Sequence, residues 1–157
     1  MTGTPIPSRQ EQWVSRIATL GPIGSCPVAP GTAAAGCTAV ILLVLVQFLG
    51  IGVWTPVFVL TVIMGQWACS HLPERWGEDP RRVVIDEAAG QAIAVAFLPP
   101  SAHLYLVAFL LFRLFDVWKP GPIRWVDRRG GSWAVMGDDV VAGVVARGIL
   151  AGIQIVG

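Results

Sequence analysis

Histidine and cysteine are scarce in this chain, and charge is scarcer than a water-soluble domain of its length carries. Only 2 histidines (His71, His103) and 3 cysteines (Cys26, Cys37, Cys69) occur among 157 residues. The cysteines are odd in number and lack Cys-x-x-Cys spacing, which argues against both a disulfide framework and a zinc site. With so few imidazoles and thiolates, any metal site must be built from oxygen, and oxygen donors favour Mg²⁺ or Mn²⁺ over zinc. There is no Gly-x-Ser-x-Gly, no Cys-x5-Arg loop and no Ser-His-Asp set, so covalent serine or cysteine catalysis is disfavoured. A basic run is missing and the net charge is only +1, which leaves little support for nucleic-acid binding. Met1–Leu20 shows no secretory pattern.

Apolar residues are abundant. They make up 54% of the chain against 13% charged, where soluble domains carry ~25% charged. The balance predicts a membrane protein, all-α, built as a polytopic helical bundle with short helices. One domain fits the length, with residues 1–20 as a tail and short helix (near Trp13 to Leu20) and 21–157 as the membrane domain. Gly21 to Thr32 reads as a Gly/Pro-rich loop whose Thr32 caps the next helix. Ala33 to Leu49 is uncharged and near the lower limit for a spanning helix. A second apolar run covers Ile51 to Cys69, with Pro56 in its first turn and Gly50 to Trp54 as the turn before it. A polar stretch, His71 to Arg82, follows. Further helices are expected from Val84 to Leu98, stopped by Pro99-Pro100, and from Ala102 to Val117. Ile123 to Arg128 suits a short interfacial helix, Arg129 to Ser132 a turn, and Asp138 to Ile155 the last helix. The third and fourth helices are short for a ~30 Å hydrocarbon core.

Charge sets the expected orientation. No Lys or Arg falls in the Gly50–Trp54 or Pro99–His103 turns. If both helix pairs are hairpins, the basic loops share one side, and the positive-inside rule makes that side cytoplasmic. The carboxylates fall on the same side, which places a charged face at the cytoplasmic membrane boundary.

Three groups of acids stand beside apolar runs: Asp86-Glu87, Asp116 and Asp138-Asp139. Burying an ionised carboxylate costs several kcal/mol unless something offsets it, and a divalent cation is the simplest offset. Plainer readings exist for each. Asp86-Glu87 can complement a helix dipole, although Val83-Val84-Ile85 and Ala88-Ala89-Gly90 embed the pair in apolar sequence. Arg113, Asp116 and Lys119 recur every third residue and can form a salt-bridge ladder; alternatively Asp116 serves a metal and Lys119 a phosphate oxygen. Asp138 can be an N-cap, yet a cap needs one acid rather than two. Gly143 would let another helix approach closely. Pro30-Gly31-Thr32 enters a helix and offers backbone N–H groups to an anion, or is an ordinary loop and cap. His71 reads as a polar cap. Arg147, inside the last helix, should pair with a carboxylate. Trp118, Trp125 and Trp133 read as interfacial anchors.

The order Pro-Gly-Thr (30–32), Ile-Asp-Glu-x-x-Gly (85–90), Phe-Arg-x-Phe-Asp-x-x-Lys-Pro-x-Pro-Ile (112–123), Asp127 and Asp-Asp-x-x-Ala-Gly (138–143) resembles the phosphatidylglycerophosphatase A family. The resemblance covers nearly all of the chain beyond residue 20. It implies a bacterial, inner-membrane, all-helical, Mg²⁺-dependent enzyme that removes the terminal phosphate of phosphatidylglycerophosphate to give phosphatidylglycerol. Carried over, the family's acids fall on Asp86, Glu87, Asp116, Asp127, Asp138 and Asp139, and its basic positions on Arg113 and Lys119. Ala33-Ala34-Ala35-Gly36 departs from the family's usual aromatic and Gly-Ser.

The expected chemistry is phosphomonoester hydrolysis, with Asp86, Asp116 and Asp139 as catalytic groups. Mg²⁺ is expected on carboxylates drawn from Asp86, Glu87, Asp116, Asp138 and Asp139. Substrate contacts are assigned to Thr32, Arg113, Lys119 and Arg124, the last on the diester phosphate. The expected partners are the phospholipid substrate and membrane lipid, without nucleic acid. Two rivals use similar acids: a non-catalytic membrane protein such as a cation transporter or binding subunit, and a phosphotransferase using a nucleotide-linked donor, whose usual Asp-Gly run is missing.

Overall fold

The computed structural model describes residues 7–73, 76 and 81–156; most of the expected polar stretch after His71 lies outside them. The described residues form seven α-helices: α1 (Arg9–Ala18), α2 (Pro30–Leu49), α3 (Trp54–Ser70), α4 (Ile85–Ala94), α5 (Ala102–Trp118), α6 (Gly121–Asp127) and α7 (Ser132–Val156). Short 3₁₀ turns stand at Ile23–Ser25 and Ile51–Val53. The all-α expectation is met.

Several boundaries moved, each for a visible reason. α1 begins before Trp13 because Ser8 and Glu11 form a capping box: the Ser8 hydroxyl accepts from the Glu11 N–H at 3.2 Å, and the Glu11 carboxylate accepts from the Ser8 N–H at 3.0 Å. Thr32 does not cap α2; Ala29 occupies the N-cap position in a left-handed conformation and offers no side-chain bond. α4 stops at Ala94 rather than Leu98, because Phe97 turns left-handed (φ 54°) and lays its ring against Trp54, centroids 4.4 Å apart. α7 begins at Ser132 rather than at Asp138. The left-handed Gly130 and Gly131 make the turn, and the Gly131 carbonyl accepts from the Ala134 N–H at 3.0 Å. Asp138 and Asp139 therefore sit inside a helix, and neither is its N-cap.

Two segments are long and apolar enough to cross a membrane: α2, with mean hydropathy 2.2, and Ile51–Ser70, with 1.5. Little of either is buried against the chain, and Val40, Phe48, Leu60 and Ile63 lie exposed on them. α4 has 10 residues, about 15 Å at ~1.5 Å per residue, half of a hydrocarbon core. It instead lies at the centre, packed on α2, α3 and α7. Small residues allow this: Ala88, Ala89, Gly90, Ala92 and Ala94 are all buried. The main core is Leu42, Leu98, Phe112, Ile123 and Leu150 with the small residues between them. A second cluster of Ala18, Ala68, Val83, Ile85 and Met136 ties α1, α3 and the start of α4 to α7.

Candidate active site

The site begins with two glycines. α4 meets α7 where Gly90 faces Gly143. A Cβ on Gly143 would run into the Gly90 carbonyl, and one on Gly90 would strike the Phe112 ring and the Asp139 carbonyl. The close approach foreseen for Gly143 is present, and it lays the first turn of α4 beside the acidic stretch of α7. Asp86, Glu87 and Asp139 can each present a carboxylate oxygen such that all lie within 4.8 Å of one another. Gly31, in the first turn of α2, makes the third accommodation, since a Cβ there would collide with the Glu87 carboxylate. The glycine of Pro-Gly-Thr thus serves Glu87 through lack of bulk.

Two cations stand beside the acids, Lys119 on the cavity they line and Arg113 on the neighbouring one. Arg113 holds Asp116 at 2.5 Å across one helical turn of α5. Lys119 does not continue that ladder. It adopts a left-handed conformation (φ 45°, ψ 59°) that ends α5 before Pro120. Its ammonium donates instead to Asp127 at 2.6 Å and Asp138 at 2.5 Å. Burial alone would lower the Lys119 pKa, but these two carboxylates outweigh it and raise it above its ordinary value. The ammonium therefore stays charged throughout the physiological range.

The acids are less well provided for. Burial, and then repulsion from the neighbouring Glu87, push Asp86 well above the ordinary carboxylate range; burial also raises Glu87. Glu87 Oε2, Asp138 Oδ1 and Asp139 Oδ2 are buried with no hydrogen-bond partner, a cost of about 1–3 kcal/mol for each such group. Oxygen atoms left bare in a converging cluster fit a hard divalent cation, which takes carboxylate ligands. They open on a cavity of about 300 Å³ whose walls also carry Asp116, Lys119 and Asp127.

The five acids expected at a metal therefore line one cavity, with Asp86, Glu87 and Asp139 at its tightest point and Asp116 and Asp138 each engaged by a cation. Thr32 and Arg124 line neither this cavity nor its neighbour. Arg124 is exposed and points to the Trp118 carbonyl at 3.5 Å. His71 is exposed and donates from Nδ1 to the Trp67 carbonyl at 2.8 Å, a cap on α3. Among the described residues Arg147 has no carboxylate partner: its Nε donates to the Ala96 carbonyl at 2.7 Å, because α4 ends beside it. The tryptophans expected as anchors, Trp118, Trp125 and Trp133, are all exposed. The structure adds Arg81 and Arg82, which border a second cavity on the other side of Asp86 and Glu87. Adjacent arginines just ahead of the Ile-Asp-Glu motif were the available signal.

Acids converging beside Lys119 and the Arg113–Asp116 pair suit a protein that works on a phosphate group. The chain belongs to the phosphatidylglycerophosphatase A family, whose model matches residues 16–154, and is accordingly a phosphatase. Its similarity to phosphatidylglycerophosphatase A of Escherichia coli is 36% identity over 130 residues, 81% of this chain and 75% of that one. The Haemophilus influenzae protein of the same name is 33% identical over 129 residues, 80% of this chain and 79% of that one. A Bacteroides thetaiotaomicron protein, provisionally named a phosphatidylinositol-3-phosphatase, is 41% identical over 129 residues, 77% of this chain and 80% of its own length. No solved structure matches the chain.

Proposed function

We propose that this phosphatase hydrolyses phosphatidylglycerophosphate to phosphatidylglycerol and phosphate, depends on Mg²⁺, and works at the cytoplasmic face of a bacterial inner membrane as a multi-pass protein. One observation carries the reading: Asp86, Glu87 and Asp139 bring carboxylate oxygens within 4.8 Å of one another, beside a lysine that two other acids hold in place. Asp86, Glu87 and Asp139 are the cation's ligands in this reading, with Asp116 and Asp138 as further wall acids. A bound divalent cation supplies Lewis acidity toward phosphoryl oxygens.

The chain's own residues do the rest. Lys119, on the wall of this cavity, offsets the phosphate's remaining charge, and Asp127 and Asp138 fix where that charge stands; Arg113 stands on the neighbouring cavity and acts here through Asp116. Asp116, buried and held by Arg113, faces the same cavity and orients the groups around the scissile bond. The cavity lies where helix ends meet, so only the headgroup enters while the acyl chains stay among apolar helix faces such as those of α2 and α3. The exposed Trp118, Trp125 and Trp133 suit the interfacial layer. The orientation rests on the basic residues of the loops at this end. A non-catalytic cation pathway is disfavoured by the phosphatase relatives the chain matches.

The test is phosphate release by the purified protein from phosphatidylglycerophosphate, phosphatidic acid, phosphatidylinositol 3-phosphate and a soluble phosphate ester, in Mg²⁺ and in EDTA. Phosphatidylglycerophosphate should be hydrolysed fastest, and EDTA should stop the reaction. Undiminished release in EDTA would overturn the metal assignment. Faster hydrolysis of the inositol lipid would transfer the function to the headgroup named for the Bacteroides relative.

A further inference from the structure

Asp86 and Glu87 are a partition as well as a cluster. They line the acidic cavity on one side and, on the other, a second cavity of about 610 Å³. Away from Asp86 and Glu87, the second cavity has a basic wall. Arg81, Arg82 and Arg113 border it, together with the loop that leads into α2. Among the described residues Arg81 and Arg82 form no ion pair, and both are exposed. Their backbone is nevertheless anchored: the Arg82 carbonyl packs so closely on Gly24 that a Cβ there would strike it, and the Val84 N–H donates to the Ala18 carbonyl at 2.9 Å. Two guanidinium groups with no ion pair among the described residues thus stand on an anchored stretch of chain beside one hollow. The entrance to α2 adds to this field, since its N-cap residue Ala29 contributes no side-chain bond and its first amides stay free of one.

We propose that this basic cavity is the subsite for the phosphate diester that joins the headgroup to the diacylglycerol. The inference rests on the lipid phosphatase reading above and deepens it. A substrate with two phosphates on a three-carbon bridge would straddle the Asp86–Glu87 partition, its terminal monoester on the acidic side and its diester on Arg81 and Arg82. Guanidinium is suited to this, because its fork of donors matches phosphate oxygens. Selection of a bridged lipid over a simple phosphate monoester then resides in Arg81 and Arg82, which make no contact with the reacting phosphate.

The experiment is an Arg81→Gln/Arg82→Gln double variant, whose exposed side chains are dispensable for folding, set beside Arg128→Gln as a control for loss of surface charge. Two readouts are used. The first is KM for phosphatidylglycerophosphate against that for phosphatidic acid, which lacks the diester and serves as a competitor if it is not turned over. The second is the affinity for dihexanoyl-phosphatidylglycerol in EDTA, with inorganic phosphate as the rival ligand. The double variant should raise KM for phosphatidylglycerophosphate by about tenfold with kcat nearly unchanged, leave phosphatidic acid alone, and weaken phosphatidylglycerol binding by a similar factor. Arg128→Gln should move neither. Equal losses on both lipids, unchanged phosphatidylglycerol affinity, or displacement of the short-chain lipid by inorganic phosphate at equal concentration would each overturn the proposal. If the wild type releases no phosphate from either lipid, the enzyme reading falls while the binding comparison still decides whether the arginines hold a diester.

Discussion

At its C-terminal end α4 is supplied with donors it lacks. The Trp54 indole N–H reaches the Ala92 carbonyl, and Arg147 reaches the Ala96 carbonyl at 2.7 Å, so the carbonyls that a helix end leaves without partners are served by other helices. At its N-terminal end the same helix does the reverse. Asp86 and Glu87 crowd together there, with Glu87 Oε2 left bare, and α7 adds a third acid instead of a base. At the C-terminal end the carbonyls are served, although Gln91 and Arg147 Nη1 keep buried atoms without a partner, whereas at the N-terminal end the bare atoms belong to carboxylates crowded against one another. In the reading proposed above, that difference separates the working groups of an apolar bundle from its braces, a distinction that residue type alone does not give, since an arginine and an aspartate are equally out of place in such surroundings.

The comparison breaks most sharply at Asp139. Asp139→Asn should cut phosphate release by at least ~10²-fold, the scale of losing one electrostatic contributor in a catalytic site. In EDTA the same variant should melt at a higher temperature than the wild type, because it removes one of several mutually repelling buried acids. A lower melting temperature would place Asp139 among the braces. Gly143→Val comes next. Its side chain meets the Gly90 backbone, which cannot swing aside, so about 1–3 kcal/mol of stability should be lost. Activity should fall with it as α4 and α7 are wedged apart. Thermal melts and phosphate release on one preparation check both. The smallest effect should follow Arg147→Met, which strips the Ala96 carbonyl of its donor for about 1 kcal/mol. Its kcat and KM should stay within roughly twofold of the wild type, since the contact lies at the other end of α4; a large change in kcat would erase the contrast between the two ends.

Much of this was legible in the chain. The apolar runs located α2, α3 and α5, and the acids that line the cavity stood out because each interrupted hydrophobic sequence. Gly143 was readable as a point of close approach. What escaped was set by contacts distant in sequence. Asp138-Asp139 has the look of a helix start, but the turn at Gly130-Gly131 had already begun α7 upstream. The three-residue spacing of Arg113, Asp116 and Lys119 suggests one ladder; a single left-handed residue at Lys119 redirects its ammonium across to α7. Phe97 left the helix for Trp54, which no local preference announces. Arg81 and Arg82 belong to no periodic pattern, and their cavity exists only once the loop before α2 folds over them.

The contact between Gly90 and Gly143 also bears on how such an enzyme can diversify. Because neither position has room for even a methyl group, the spacing of the acids is frozen, and drift in that half of the site is blocked. Gly24 is likewise locked against the Arg82 carbonyl, but the exposed side chains of Arg81 and Arg82 carry no such constraint. New headgroup preferences should therefore arise by exchanging those side chains, while the hydrolytic half is inherited unaltered.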